Sequence, residues 1–216
     1  MNTIIESFKK IKSNISSLNP AKSVNIIAVS KTFPMEHIYP LVDYGHLHFG
    51  ENKVQEAISK WTDIKLKRNN LNLHMIGKLQ RNKAKDAVKI FDYIHSLDNQ
   101  KLAATLAKYQ NIIKKKIKYF IQVNLGNEIH KSGIPVNELD PFYNYCINEL
   151  NLNVIGLMVI PPNDKNPTKY FKTLQELNNS LALKNLSMGM SADYTEAVEN
   201  GSTFVRVGSS IFGLRS

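Results

Sequence analysis

NIIAVSKTFP, Asn25 to Pro34, is the stretch on which the fold is read. Its β-branched run ends in Ser30 and Lys31, and a proline follows close behind. That is the pattern of a buried strand stopping at its C-terminal end. It leaves a lysine amine at the mouth of the sheet. An ammonium there is costly to desolvate, so its pKa is expected to fall, and a neutral amine is what attacks a carbonyl to form a Schiff base. A solvated lysine that merely closes a strand has the same sequence, so this stretch leaves both readings open.

Outward from it, strand-like and helix-like stretches alternate. Strands are expected near 24–30, 46–49, 72–76, 92–95, 118–124, 153–158, 185–188 and 203–207. Helical spacing links Val54, Ala57, Ile58, Trp61 and Ile64, then Leu102, Leu106, Tyr109 and Ile113, then Phe171, Leu174, Leu177 and Leu181. Eight strands with interleaved helices predict an α/β fold, a single (β/α)8 TIM-type barrel spanning 1–216. A doubly wound open sheet is the alternative. Ile4, Ile5, Phe8, Ile11, Ile15 and Leu18 line one face of a helix within 1–20, closed by Pro20 and expected to pack on the barrel.

In such barrels chemistry gathers at the C-terminal ends of the strands, with phosphate held after the seventh and eighth. Those ends carry Lys31, Glu51 and Asn52, Gly77, Ser96, Asn124, Met158, the Gly189 to Ser191 turn, and Arg206 to Ser209. LSMGMS, Leu186 to Ser191, and TFVRVGSSIFG, Thr203 to Gly213, each run from a short strand into Gly and Ser and a helix start. Freed backbone N–H groups and hydroxyls at such a turn cradle a phosphate. Together with Lys31 they point to a phosphorylated aldehyde. Arg206 alternates with Val205 and Val207, so if the valines face the helices it faces the barrel interior. A guanidinium there needs a partner: a buried carboxylate, or the ring nitrogen of a pyridine cofactor, which would then stay unprotonated.

The formal net charge of +10 invites a nucleic-acid reading. The basic residues are nearly all lysine, with arginine only at 68, 81, 206 and 215, and no interleaved aromatics or RNA motif surround Lys78 to Lys85. No nucleic-acid partner is expected. The single cysteine, Cys146, shares helical spacing with Leu139, Phe142 and Leu150, which predicts a packed thiol. His46 and His48, with Glu51 nearby, are the one candidate metal pattern, but no further ligand completes a shell, and metal is not expected. The absence of a secretory leader or a membrane-length apolar run points to a soluble protein of the cytoplasm.

Seven blocks carry a family resemblance: AVSKTFP (Ala28 to Pro34), HFGENKVQE (His48 to Glu56), LHMIGKLQRNKAK (Leu73 to Lys85), HSLDNQKLA (His95 to Ala103), IQVNLGNEIHKSGI (Ile121 to Ile134), IGLMVIPP (Ile155 to Pro162) and Leu186 to Arg215. As a set they resemble the pyridoxal 5′-phosphate (PLP) homeostasis proteins. The resemblance implies a barrel like the N-terminal domain of alanine racemase, with PLP held as a Schiff base on Lys31. It also implies that Asn52 lies near the ring hydroxyl, Arg206 near the pyridine nitrogen, and Ser191, Gly208 and Ser209 around the phosphate. His74 and Ser187 are candidates to line the pocket, although packing explains them as well. KSGI, Lys131 to Ile134, reads as a structured loop. Ser209 stands where the family usually has threonine, Ala192 where an acidic residue is common, and Leu73 where tryptophan is usual. Lys78 and Arg81 replace proline and serine. None of these removes a proposed ligand.

The resemblance implies PLP buffering or delivery to apo-forms of PLP enzymes, by a protein expected to be a monomer and to turn over no amino acid. The alternative is a PLP-dependent amino-acid racemase. Racemisation needs a second base facing Lys31, which in the racemases is a tyrosine from a separate C-terminal domain of the partner subunit, and no such domain is expected here. A cofactor-free Schiff-base aldolase would need a proton shuttle beside Lys31 that the sequence does not clearly supply.

Overall fold

A computed structural model describes residues 3–20, 23–126, 132–163 and 166–213. Its strands are β1 (Asn25–Val29), β2 (His48–Glu51), β3 (Asn72–Met75), β4 (Tyr93–Leu97), β5 (Lys118–Asn124), β6 (Ile134–Pro135), β7 (Asn153–Met158), β8 (Asn185–Met190) and β9 (Phe204–Val207). All pair in parallel. The order β4-β3-β2-β1-β9-β8-β7-β5, closed by β4 against β5, is a barrel of eight strands, and the two-residue β6 adds to the side of β5. The open-sheet alternative is thereby excluded. Each expected strand is present. The second lies two residues later than its expected start, because His46 and Leu47 still belong to the connection after the Tyr44–Gly45 turn, with His46 N donating back to Leu41 O.

The helices are α1 (Thr3–Leu18), α2 (Met35–Asp43), α3 (Val54–Lys67), α4 (Ala84–Ile90), α5 (Gln100–Ile113), α6 (Leu139–Asn144), α7 (Pro167–Ser180), α8 (Tyr194–Glu199) and α9 (Ser209–Phe212). Local chemistry sets several ends. Asn99 caps α5, its side chain accepting from Leu102 N at 2.8 Å, and Lys114 ends that helix in the left-handed region. Pro167 opens α7, where its missing N–H costs nothing. From α1, Ile4, Phe8, Ile11 and Ile15 are buried on one face, packed toward α2, α8 and α9. Cys146 is fully buried, and burial pushes its thiol up to about 12, as suits a packed side chain.

Strand alternation divides the interior in two. The larger apolar cluster lies between barrel and helices and includes Ala28, Phe49, Leu73, Ile94, Val205 and Val207. The smaller lies inside the barrel: Ile27, Tyr93, Phe120, Met158 and Phe204. Burial of each such side chain contributes about 1.5–3 kcal/mol. The polar side chains of His74, His95, Ser187 and Arg206 are also buried here. No helix among the described residues is long and apolar enough to cross a membrane.

Candidate functional site

Lys31, Asn52, Ser191, Arg206, Gly208 and Ser209, far apart in sequence, line one open cavity of about 560 Å³ at the C-terminal ends of β1, β8 and β9. Val29, Ile76, Gly77, Ile160, Met190 and Ala192 complete its wall. The apolar members of this wall carried no site signal in the sequence, because an apolar residue at a strand end reads equally well as core.

The turn bearing Lys31 is held from α3. Lys60 Nζ donates to Ser30 O at 2.7 Å, and reaches Glu51 Oε1 at 2.7 Å and Glu56 Oε1 at 3.2 Å. Thr32, whose φ of 69° is strained for a β-branched residue, donates its N–H to Glu56 Oε1 at 2.5 Å. Glu51 itself is fully buried and faces away from the cavity, which corrects its expected place on the polar rim. It shares the outer face of β2 with Phe49, and its Oε1 also accepts from Ser30 Oγ at 2.7 Å and Trp61 Nε1 at 3.0 Å. Burial raises its carboxyl above the usual range, with Lys60 opposing.

Across the mouth, Gly77 closes on Asn52: a Cβ on Gly77 would lie 2.5 Å from Asn52 O, so only glycine lets these backbones meet. Asn52 Oδ1 is buried without a hydrogen-bond partner among the described residues. On β8 the register against β9 slips between Ser187 and Met190, where Gly189 takes φ +91°. This bulge carries the chain into the Ser191 turn. Ser191 Oγ accepts from Gly208 N at 3.2 Å, so the two expected cradles form one. Ile211 N and Phe212 N already donate to Gly208 O, which leaves the N–H groups of Ser209 and Ser210, at the start of α9, ahead of the first helical bonds.

Arg206 lies inside the barrel, 4% exposed, opposite the buried valines on either side. Its Nη1 donates to Ser187 O at 2.8 Å and Ser187 Oγ at 2.7 Å, and Nη2 to Val159 O at 2.9 Å. No described carboxylate makes an ion pair with it. Burial lowers its pKa to about 10, with Asp193 opposing, so it remains a cation near neutral pH. Nε–H and the second Nη2 proton have no acceptor among the described residues.

His74 is not brought to this cavity. It is fully buried two residues before Ile76, with its ring stacked on Tyr93 at 4.2 Å and both nitrogens bound to other histidines. Alternation turns it inward, but one layer too deep. Ser187 is likewise covered and touches Arg206 instead of the wall. His46 and His48 form no metal site with Glu51: His46 Nε2 bonds the backbone of His48, and among the described residues no three His, Cys, Asp or Glu side chains gather to hold a metal. Lys131 lies outside the described residues. Ser132 to Ile134 follow the β5 edge, with Ser132 O accepting from Gln122 Nε2.

A closed parallel barrel with a lysine after its first strand and an interior arginine on its last is of the alanine racemase type, and the family model "Alanine racemase, N-terminal domain" matches residues 7–216. The chain belongs to the pyridoxal phosphate homeostasis protein family. It is 36% identical to the protein of that name from Pasteurella multocida, over 99% of this chain and 98% of the relative, and 39% identical to that of Aquifex aeolicus, over 88% and 86%. PipY of Synechococcus elongatus, solved with PLP bound, superposes with a TM-score of 0.83 at 35% identity, over 94% of this chain and 100% of that one. Alanine racemase of Clostridium difficile shares the fold, with a TM-score of 0.71 at 15% identity, over 99% of this chain and 57% of that one.

Proposed function

We propose that this protein holds PLP in the Lys31 cavity and buffers or delivers it to apo-enzymes, without turning over amino acids. The observation that carries the reading is the convergence on one cavity of an amine, an unpartnered amide oxygen, a hydroxyl cradle and a buried guanidinium. These groups fit the cofactor. Lys31 would hold its aldehyde, Asn52 Oδ1 would accept from its ring hydroxyl, and Arg206 would donate to its ring nitrogen. Ser191, Gly208 and Ser209 would hold its phosphate. The relatives named for PLP homeostasis, and the PLP-bound neighbour, support the choice of ligand.

Bound PLP supplies an electron-withdrawing ring able to stabilise negative charge on an amino acid's α-carbon. Arg206, which keeps its proton, would leave the ring nitrogen unprotonated and so weaken that capacity. Among the described residues lining the cavity, Lys31 is the one side chain that could serve as a general base. Racemisation needs two such groups, and this favours a carrier.

Borohydride reduction of the loaded protein, followed by peptide mapping, tests the assignment. The cofactor is expected on Lys31, and Lys31→Ala is expected to fold normally and trap none. Trapping on Lys78 or Lys83 in its place would refute the site.

A further inference from the structure

Beneath the cavity runs a chain of polar side chains that cofactor binding does not itself require. Arg206 Nη1 meets Ser187 Oγ at 2.7 Å, Ser187 Oγ meets His95 Nδ1 at 2.8 Å, His95 Nε2 meets His74 Nδ1 at 2.9 Å, and His74 Nε2 meets His48 Nδ1 at 2.9 Å. Ser187, His95 and His74 are fully buried, while His48 begins β2 and is half-buried. The chain therefore spans the barrel interior from its N-terminal end to the arginine at the site.

We propose that His48, His74 and His95 form a one-way relay of neutral imidazoles, each protonated on Nε2, which fixes the Ser187 hydroxyl and through it the Arg206 guanidinium that faces the cofactor ring. Arg206 is a donor only, so Ser187 Oγ accepts from it. The one proton of Ser187 then has a single described acceptor, His95 Nδ1. If His95 donated there instead, that hydroxyl proton would be stranded in a dry interior, an expensive arrangement. His95 therefore carries its proton on Nε2 and donates to His74. A neutral imidazole has one N–H, so His74 must in turn donate from Nε2 to His48, whose own proton sits on Nε2 at the half-buried end.

Packing and charge keep the relay in this state. His95 stacks on Phe120 at 4.4 Å and His74 on Tyr93 at 4.2 Å, with Phe204 against both, so the rings cannot turn freely. The charged and titratable neighbours are Arg206 beside His95, Lys65 and His46 beside His74, and Lys118 beside His48. None is an acid. Burial and these neighbours all depress the imidazole pKa values, so the rings stay neutral. Ser187, His74 and His95 are thus positioning residues for Arg206.

The part concerning the cofactor rests on the ring-nitrogen reading given above, and two measurements separate them. The first uses apo-protein labelled with 15N-histidine, in which long-range 1H–15N correlations report the tautomer of each ring. All three rings are expected neutral with the proton on Nε2 near neutral pH. A proton on Nδ1 of His74 or His95, or a cationic ring in the chain, would overturn the relay whatever becomes of the cofactor reading. The second compares the affinity of PLP with that of its 1-deaza analogue, which has carbon in place of the ring nitrogen. The wild type is expected to prefer PLP by about tenfold or more. His48→Leu, which removes the last acceptor far from the cavity, is expected to mix the tautomers and collapse that preference. His48→Asn, whose amide oxygen can stand in for Nδ1, is expected to restore it. No preference in the wild type would overturn the ring-nitrogen reading and the positioning role together. A preference that survives in His48→Leu would overturn the positioning role alone. If His48→Leu does not fold, the wild-type tautomers decide.

Discussion

Lys60, on α3, donates to the carbonyl oxygen of Ser30 at 2.7 Å and so grips the backbone of the residue just before Lys31. The same ammonium neutralises the fully buried Glu51. Lys60→Met keeps the stem and removes both contacts together with the longer one to Glu56 Oε1, stranding the buried carboxylate of Glu51. It is expected to cost about 3 kcal/mol in urea denaturation. Adding Glu51→Gln, which needs no counter-charge, is expected to recover much of that loss. If the two substitutions prove simply additive, the pair is not coupled.

The phosphate cradle predicts a strong preference for PLP over pyridoxal. Charge-assisted hydrogen bonds are each worth about 1.5–3 kcal/mol. Removing the hydroxyls of Ser191 and Ser209 together is expected to weaken PLP by about 3 kcal/mol or more, on the order of 100-fold. Ser191→Ala is expected to do more than Ser209→Ala, because Ser191 Oγ also holds Gly208 N. Titration and dialysis read both effects. Equal affinity for the two vitamers would place the phosphate elsewhere.

Stability is expected to fall on mild acidification. Burial pushes His46 down to about 4 and lowers His48, His74 and His95 as well. Between about pH 6.5 and pH 4 the unfolded chain takes up protons that the folded protein refuses. The stability is therefore complete above about pH 6.5 and lost downward, by about 1.4 kcal/mol per pH unit for each fully displaced ring. Glu51 and Asp98, both shifted upward by burial, work in the opposite direction and are outnumbered by the four lowered rings. Urea midpoints at about pH 7 and about pH 5 test the sign, and an unchanged midpoint would mean that these rings titrate while folded.

A carrier and a racemase differ in what they do to an α-proton. Mixed with either enantiomer of alanine in deuterated water, the loaded protein is expected to give no α-exchange above that of free PLP. It is expected to restore the activity of an apo-enzyme. Lys31-dependent deuteration at enzymatic rates would promote the racemase reading, and failure to transfer cofactor would remove the delivery role and leave storage.

The order of elements and the cavity's polar contributors were legible in the chain because each is local. A β-branched run that stops at Ser30-Lys31, or a strand that enters Gly208-Ser209, is visible within ten residues. Alternation along β9 set Arg206 opposite Val205 and Val207 without any tertiary information, since neighbouring strand residues must face opposite sides, and the closed barrel then put the valines against the helices and the arginine inside. The family blocks connected these local signals into one expected ligand.

Alternation gives a face but neither depth nor partner, and those were decided by closure of the barrel. His74 points inward as its strand requires, yet the stagger of β2, β3 and β4 sets it between His48 and His95 below the cavity. Glu51 sits at a strand end where catalytic side chains gather, but Gly50 holds the inward position and Glu51 turns to Lys60 and Trp61. Arg206 finds backbone carbonyls and a serine where the sequence left open a carboxylate. The sequence by itself determined which residues line each strand and which turns end it, because those follow from spacing within a segment. Which side chains share a hydrogen bond was settled only in the tertiary structure, because register between strands distant in sequence depends on how the whole sheet closes and packs.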